Sequence, residues 1–153
     1  MLSICFIAST LFAMQDVEAQ PQRMWRTPTE IVQQLHSIDN SHESVSISII
    51  GQSANGTPIQ CVQIAREGEV PIENRAAVLV VAGIDGDQLL GIEVATDLID
   101  EFLSMDSEQT KELLETHRLY IIPLVNPDVA SLYFEDVKDN RRRNLRPTDN
   151  DHD

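Results

Sequence analysis

Alternation of polar and apolar positions predicts a β-hairpin in the first half of the chain. Residues 44–50 (SVSISII) and residues 57–65 (TPIQCVQIA) both alternate, as strands with one buried face do. Between them, residues 51–56 (GQSANG) have the composition of a turn and end in Asn-Gly. The two segments are therefore predicted to pair as antiparallel strands.

Helical spacing of apolar residues predicts elements on both sides of this hairpin. The first helix begins near Thr27, a favourable cap residue that is followed by Pro28 and Glu30. Its apolar positions are Ile31, Leu35 and Ile38. Further helical segments are predicted over residues 91–103, 107–116 and 129–134.

Two continuous apolar runs, residues 76–82 (AAVLVVA) and 118–125 (RLYIIPLV), predict strands that are buried on both faces. Helices separate these strands, which indicates a parallel portion of sheet covered on both sides. The predicted fold is α/β, a partial mixed sheet with an antiparallel hairpin at its edge and parallel strands flanked by helices.

The N-terminus resembles a secretory signal peptide over residues 1–19. Residues 2–14 (LSICFIASTLFAM) carry no charge and are too few to span a membrane, and Val17 and Ala19 suit a cleavage site. No basic residue precedes the apolar run, and the alternative is a helix that packs on the domain. The signal peptide predicts a secreted or periplasmic protein with a linker (20–26), an α/β domain (27–135) and a polar tail or truncated loop (136–153).

Composition limits the partners and the covalent chemistry. The formal net charge of −14 disfavours nucleic acid and anionic membranes, so no nucleic-acid partner is expected, and no membrane partner after signal cleavage. Cleavage would remove Cys5 and leave Cys61, which could then form no internal disulfide. Cys61 is predicted to be a small core residue.

Several segments, taken in order, resemble the zinc carboxypeptidases, the carboxypeptidase A-like metallopeptidases. Residues 50–59 resemble the opening hairpin of that family, and residues 78–84 the strand before its metal loop. Residues 121–128 (IIPLVNPD) are close to its I-P-x-x-N-P-D-G signature, with Val129 in place of the glycine. The resemblance covers about residues 31–153 and implies the N-terminal part of an incomplete carboxypeptidase-like fold.

The resemblance implies a metal loop in the stretch GIDGDQLLGIE, residues 83–93. The family loop reads G-I-H-G-x-E, and its His and Glu bind zinc; the matching residues here are Asp85 and Gln88. A carboxylate can still bind zinc, whereas a neutral amide is a poor zinc ligand and suits harder ions better. The substitutions predict impaired zinc binding. The alternative is a simple turn in which Asp85 or Asp87 caps the next helix.

Other candidate residues lie near the C-terminus. The resemblance implies a pair of arginines that polarise the scissile carbonyl, and Arg143 and Arg146 have the matching spacing; a basic loop is the equal alternative. The third zinc ligand and the general base of the family would lie further downstream. Histidines 36, 42 and 117 are expected on the surface.

The acidic run at the C-terminus has the spacing of a calcium loop. Asp149, Asp151 and Asp153 occupy positions 1, 3 and 5 of such a loop, which suggests weak calcium binding. A solvated tail is the favoured alternative.

Two functions follow from the resemblance. The first is a secreted zinc metallocarboxypeptidase, which hydrolyses C-terminal peptide bonds and is present as an N-terminal fragment that is inactive by itself. The second is a non-catalytic peptide-binding or vestigial module. Peptide or protein C-termini are the expected partners in both.

Overall fold

The computed structural model describes residues 24–135. They form four helices and four strands, with one short 3₁₀ turn before β3. The helices are α1 (Pro28–Asp39), α2 (Leu89–Ser104), α3 (Glu108–Thr116) and α4 (Pro127–Leu132), and the strands are β1 (Val45–Gln52), β2 (Pro58–Ile64), β3 (Ala76–Val81) and β4 (His117–Ile122).

The four strands form one mixed sheet in the order β1-β2-β4-β3. β1 and β2 are the predicted hairpin, and its turn places Gly56 at a φ of 83°, a conformation that glycine adopts without strain. β4 pairs antiparallel with β2 and parallel with β3. The predicted α/β fold, a partial mixed sheet with a hairpin at one edge, is confirmed.

The start of α1 follows the sequence signals closely. Thr27 is the N-cap, and its hydroxyl accepts a hydrogen bond from the Glu30 backbone N–H at 3.2 Å. The Glu30 carboxylate accepts one in return from the Thr27 backbone N–H at 2.7 Å, which completes a capping box. Ile31, Leu35 and Ile38 are buried as predicted.

The hydrophobic core lies on one face of the sheet. Val62 and Ile64 of β2, with Leu119 and Ile121 of β4, occupy alternate strand positions and therefore point to the same side. Buried apolar residues of α1, α2 and α3, among them Leu35, Ile99 and Leu114, belong to this same cluster. Within residues 24–135 these apolar residues of the helices thus pack on one side of the sheet.

The burial of β3 also differs from the prediction. Residues 76–82 were expected to be buried on both faces, but Val78, Leu79 and Val81 are 55%, 60% and 40% exposed. β3 is the last strand of the described sheet, so no described strand pairs with its outer edge. The second run, residues 118–125, forms a strand only as far as Ile122, and its buried positions alternate. A continuous apolar run suits an interior strand, and the position in the sheet decided the exposure.

An arginine joins the segment before α1 to α2. The Arg26 backbone N–H and Nε donate to the two carboxylate oxygens of Glu93, each at 2.5 Å, and its Nη2 pairs with Asp97. Nη1 donates to Gln34 at 2.6 Å. Partial burial opposes the charge, but the bonds to Glu93 and Asp97 outweigh it and hold the pKa of Arg26 above its usual value.

Cys61 is buried in β2, as predicted for a core residue, and burial raises the pKa of its thiol. We expect iodoacetamide at pH 8 to alkylate Cys61 at least about tenfold more slowly in the folded chain than in urea, because alkylation needs an accessible thiolate. Peptide mass mapping measures both rates and separates Cys61 from Cys5. Equal rates would contradict the buried placement.

No helix between residues 24 and 135 has the length and apolar composition that a membrane crossing requires.

Candidate functional site

The loops that follow β3 and β4 run side by side beyond the strand ladder. The Ala82 N–H donates to the Ile122 carbonyl at 2.9 Å, and the Val125 N–H donates to the Ala82 carbonyl at 3.1 Å. The Asn126 N–H then donates to the Gly83 carbonyl at 2.9 Å. These bonds bring together two stretches that the sequence singled out separately, residues 83–88 and residues 121–128.

Two glycines allow the turn between β3 and α2. Gly83 has a φ of +65°, and a Cβ there would lie 3.0 Å from Cγ1 of Ile92. At Gly86 a Cβ would lie 2.6 Å from the Cβ of Val129, because the loop crosses directly over α4. Any larger residue at either position would displace backbone or core, so the loop is closely fitted to its neighbours.

Asp85 and Gln88 lie on the same exposed corner of this loop. The Gln88 backbone N–H donates to the Asp85 carbonyl at 3.0 Å, which closes the turn. Gln88 is the N-cap residue of α2, and its side chain makes no capping hydrogen bond. The alternative of Asp85 or Asp87 at the cap position was therefore wrong, and the Asp85 and Gln88 side chains are exposed at the end of a groove.

We call this concavity the β3–α2 groove. Its volume is about 430 Å³ and it lies between the outer edge of β3 and the exposed side of α2. Its walls are mainly aliphatic, and Asp85 is its charged residue. The lining residues are Val80, Val81, Ala82, Gly83, Ile84, Asp85, Gln88, Gly91, Val94, Ala95 and Leu98.

The donor set at this corner does not fit zinc. Structural and catalytic zinc sites use at least three protein ligands drawn from Cys, His, Asp and Glu. Among residues 24–135 no three such side chains come close enough together to hold a metal ion. Asp85 offers a single carboxylate, and the neighbouring Gln88 offers an amide oxygen, which zinc binds poorly.

The histidines of the described region lie elsewhere. His36, His42 and His117 are exposed, as expected. His42 and His117 each approach a neighbouring hydroxyl through Nδ1 at 2.9 Å, from Ser41 and Thr116 respectively. None of them joins Asp85 and Gln88.

The remaining candidate residues lie outside residues 24–135. These are the arginine pair Arg143 and Arg146 and the calcium-type carboxylates Asp149, Asp151 and Asp153. Their roles stay predictions.

Asp128 is a buried carboxylate next to the loops that follow β3 and β4. In the sequence it was noted only as the last residue of the motif IIPLVNPD. Asp128, in the first turn of α4, is 5% exposed. It accepts hydrogen bonds from the Ser53 hydroxyl at 2.7 Å and from the Asn55 backbone N–H at 3.1 Å. Asp128 thus fastens the hairpin turn to α4. Its partners are about 75 positions away in the chain, and no local pattern indicates such a pairing.

The groove itself was not predicted from the sequence. Val94 lies in the helical segment predicted over residues 91–103, and in the structure it is 58% exposed and lines the groove. Leu90 and Val94 form a second apolar stripe on α2. This stripe could have indicated the groove, since a helix that packs on one side alone needs only one apolar stripe.

Comparisons with known proteins agree with this architecture. The profile of the family described as Zinc carboxypeptidase matches residues 31–152. A protein of Drosophila melanogaster described as zinc carboxypeptidase A 1 is 32% identical over 80 residues, which make up 51% of this chain and 18% of the relative.

Solved carboxypeptidase structures share the fold at low sequence identity. The crystal structure of thrombin activatable fibrinolysis inhibitor matches 73% of this chain with a TM-score of 0.66 at 16% identity. Carboxypeptidase A from Helicoverpa armigera matches 72% of it with a TM-score of 0.62 at 15% identity. The chain covers 28% and 26% of those two structures, so it spans about a quarter of their length.

Proposed function

Because the chain belongs to the zinc carboxypeptidase family, we propose that residues 24–135 are the opening part of a carboxypeptidase-type domain whose metal loop has lost zinc binding. The observation that carries the proposal is the pair Asp85 and Gln88 at the exposed corner of the loop after β3. Their backbone turn is intact, and their side chains are poor zinc donors as a pair.

Hydrolysis of C-terminal peptide bonds is the activity that this ancestry suggests for a complete domain. Ancestry alone does not establish activity, which depends on the residues of the site. With Asp85 and Gln88 as its metal-loop residues, the chain by itself is proposed to be inactive. Secretion, which rests on the signal-peptide features of residues 1–19, belongs to the same proposal.

A second candidate function is a non-catalytic module that binds peptides. The β3–α2 groove favours it, because the groove is open and largely aliphatic although the metal donors are poor. Peptide or protein C-termini are the partners that the family suggests.

Two measurements on the purified full chain test the primary proposal. After incubation with zinc and gel filtration, elemental analysis is expected to find well under one zinc per chain, because the described donors are too few. An N-furylacryloyl dipeptide with a free C-terminal carboxylate is expected to stay intact. Stoichiometric zinc, together with hydrolysis that a chelator abolishes, would overturn the proposal.

A further inference from the structure

We propose that Asn55 and Gly56, at the tip of the hairpin formed by β1 and β2, are a site of spontaneous deamidation whose rate is limited by the carboxylate of Asp128. The reaction converts the side-chain amide of Asn55 into a carboxylate, on an aspartyl or an isoaspartyl main chain. Both products weaken the attachment of the hairpin turn to α4. The metal loop and its zinc affinity play no part in the reaction, which needs only water and the atoms of the turn.

Deamidation joins the main chain to the side chain in a cyclic intermediate. The Gly56 backbone nitrogen gives up its proton and attacks Cγ of Asn55, the bond from Cγ to Nδ2 breaks, and Nδ2 takes up a proton and leaves as ammonia. Water then opens the five-membered succinimide at either carbonyl carbon, which leaves aspartate or isoaspartate at position 55. Glycine favours this ring closure, because it has no Cβ and its backbone rotates more freely than that of any other residue.

Asn55 and Gly56 have the sequence and the surroundings that the reaction needs. An Asn-Gly pair occurs once among the 153 residues. Asn55 is exposed, and its side-chain amide makes no hydrogen bond to any other residue that the structure describes. Gly56 has a φ of 83°, and a Cβ there would have no atom within 4 Å apart from its chain neighbours. Water therefore reaches both residues, and no neighbouring side chain blocks rotation at Gly56.

The closed turn slows the reaction. The Gly56 N–H donates to the Ser53 carbonyl at 3.1 Å, so the proton that must be lost is held in a hydrogen bond. The Ser53 N–H donates to the Thr57 carbonyl at 2.9 Å, and the Thr57 N–H donates to the Ser53 hydroxyl oxygen at 2.9 Å. Ring closure needs rotation of the backbone between Asn55 and Gly56, so the turn must open first.

Asp128 keeps the turn closed. One oxygen of its carboxylate accepts from the Ser53 hydroxyl at 2.7 Å, and the other accepts from the Asn55 backbone N–H at 3.1 Å. Asp128 is buried, and hydrogen bonds to a charged acceptor that water scarcely reaches are strong. Loss of this carboxylate therefore raises the fraction of open turn, from which deamidation proceeds.

The products of deamidation disfavour the closed turn in their own right. The Asn55 backbone nitrogen lies 3.1 Å from an oxygen of Asp128, so a new carboxylate on residue 55 lies close to a buried like charge. Isoaspartate also adds a methylene carbon to the main chain, which displaces the Gly56 N–H from the Ser53 carbonyl. Deamidation is thus an irreversible loosening of the hairpin turn.

The loosening is expected to reach the loop after β3 through α4. Asp128 lies in the first turn of α4, so the hairpin turn holds the start of this helix. The next residue, Val129, supports the loop directly, since a Cβ at Gly86 would lie 2.6 Å from the Val129 Cβ. Amide hydrogen exchange is therefore expected to rise in residues 53–57 and 127–132 of the deamidated chain.

The first test compares two asparagines of the full folded chain at pH 7.5 and 37 °C, with tandem mass spectra of digested samples to measure deamidation at each position. Asn40 is the internal control, because it is also exposed but precedes Ser41, and its Nδ2 donates to the His36 carbonyl at 2.7 Å. Asn55 is expected to deamidate faster than Asn40. Equal rates, or no reaction at Asn55, would overturn the proposal.

Variants of Asp128 test whether its carboxylate limits the rate. Asp128→Ala is expected to speed deamidation of Asn55 about tenfold or more, because hydrogen bonds to a charged acceptor stabilise the closed turn by at least that factor. Asp128→Asn keeps the shape of the side chain and is expected to give a smaller increase in the same direction, which decides the question if circular dichroism shows Asp128→Ala to be unfolded. Asp39→Ala, which removes an exposed carboxylate, is expected to leave the rate unchanged. Equal rates in the native chain and the folded Asp128 variants would overturn the proposal.

A third variant tests the effect of the product. Asn55→Asp reproduces the aspartyl product and is expected to lower the urea midpoint of unfolding and to raise hydrogen exchange in residues 53–57 and 127–132. Asn74→Asp adds the same charge at an exposed position before β3 and is expected to change neither. Equal midpoints and equal exchange in the two variants would overturn the proposed loosening of the turn.

Discussion

Replacing Asp85 with histidine and Gln88 with glutamate is expected to raise the zinc affinity of the chain by at least about tenfold, the scale on which even outer-shell changes alter metal sites. Imidazole and carboxylate are good zinc donors, whereas the native pair offers one carboxylate and one amide. Both positions are exposed at the groove end, so the substitutions leave the core unchanged. Competition with a chromogenic zinc chelator at pH 7.5 measures the change.

A control variant separates the loop from any pair of new donors. Glu112→His creates a His-x-x-Glu pair with Glu115 on the exposed side of α3. Glu112→His is expected to bind zinc more weakly than the double variant, because the exposed surface of α3 offers no open, partly walled corner. Equal zinc affinities of Glu112→His and the double variant would mean that the loop after β3 is no better suited to bind a metal than an exposed helix surface.

Replacement of Asp128 by alanine is expected to cost about 2 to 4 kcal/mol of unfolding free energy. Its buried carboxylate accepts from the Ser53 hydroxyl and the Asn55 backbone N–H, and alanine would leave both donors without this acceptor. Hydrogen bonds to a charged group contribute about 1.5 to 3 kcal/mol each, and a stranded buried donor costs more than a lost exposed one. Urea unfolding followed by circular dichroism measures the difference.

Asp39 supplies the matched control for Asp128. Its carboxylate also accepts from a strand backbone, the Ile47 N–H at 3.1 Å, but Asp39 is exposed. Asp39→Ala is expected to cost only about 0.5 to 1 kcal/mol, because water replaces the lost acceptor. Similar decreases in unfolding free energy for the two variants would contradict the view that burial strengthens the hydrogen bonds to Asp128.

Local patterns determined most of the secondary structure. The Thr27–Glu30 capping box, the alternation in the hairpin and the stripe of α1 each depend on residues a few positions apart. Such short-range rules act before any tertiary contact forms, so the sequence predicts them well. Start positions were less accurate, and α2 begins at Leu89, two residues before the predicted segment.

Asp85 and Gln88 were predicted as metal-loop positions from the resemblance to the zinc carboxypeptidases, which rests on an ordered set of short motifs. The structure puts both residues at the end of one groove, and their role as metal-loop residues stays a prediction. Their chemistry as donors follows from residue type alone. The residues that surround this pair could not be predicted from the sequence, since Val94 and Leu98 lie on the following helix.

The sequence by itself determined most of the elements and the α/β class, whereas the assignment of Asp85 and Gln88 to a metal loop stays a prediction that the family resemblance implies. Only the tertiary structure decided that β3 is an edge strand, that the helices of the described region pack on one face, and that Asp128 holds the hairpin turn. The physical reason is the range of the interactions. Apolar composition shows that a side chain favours burial, but strand order and distant partners decide whether burial is achieved.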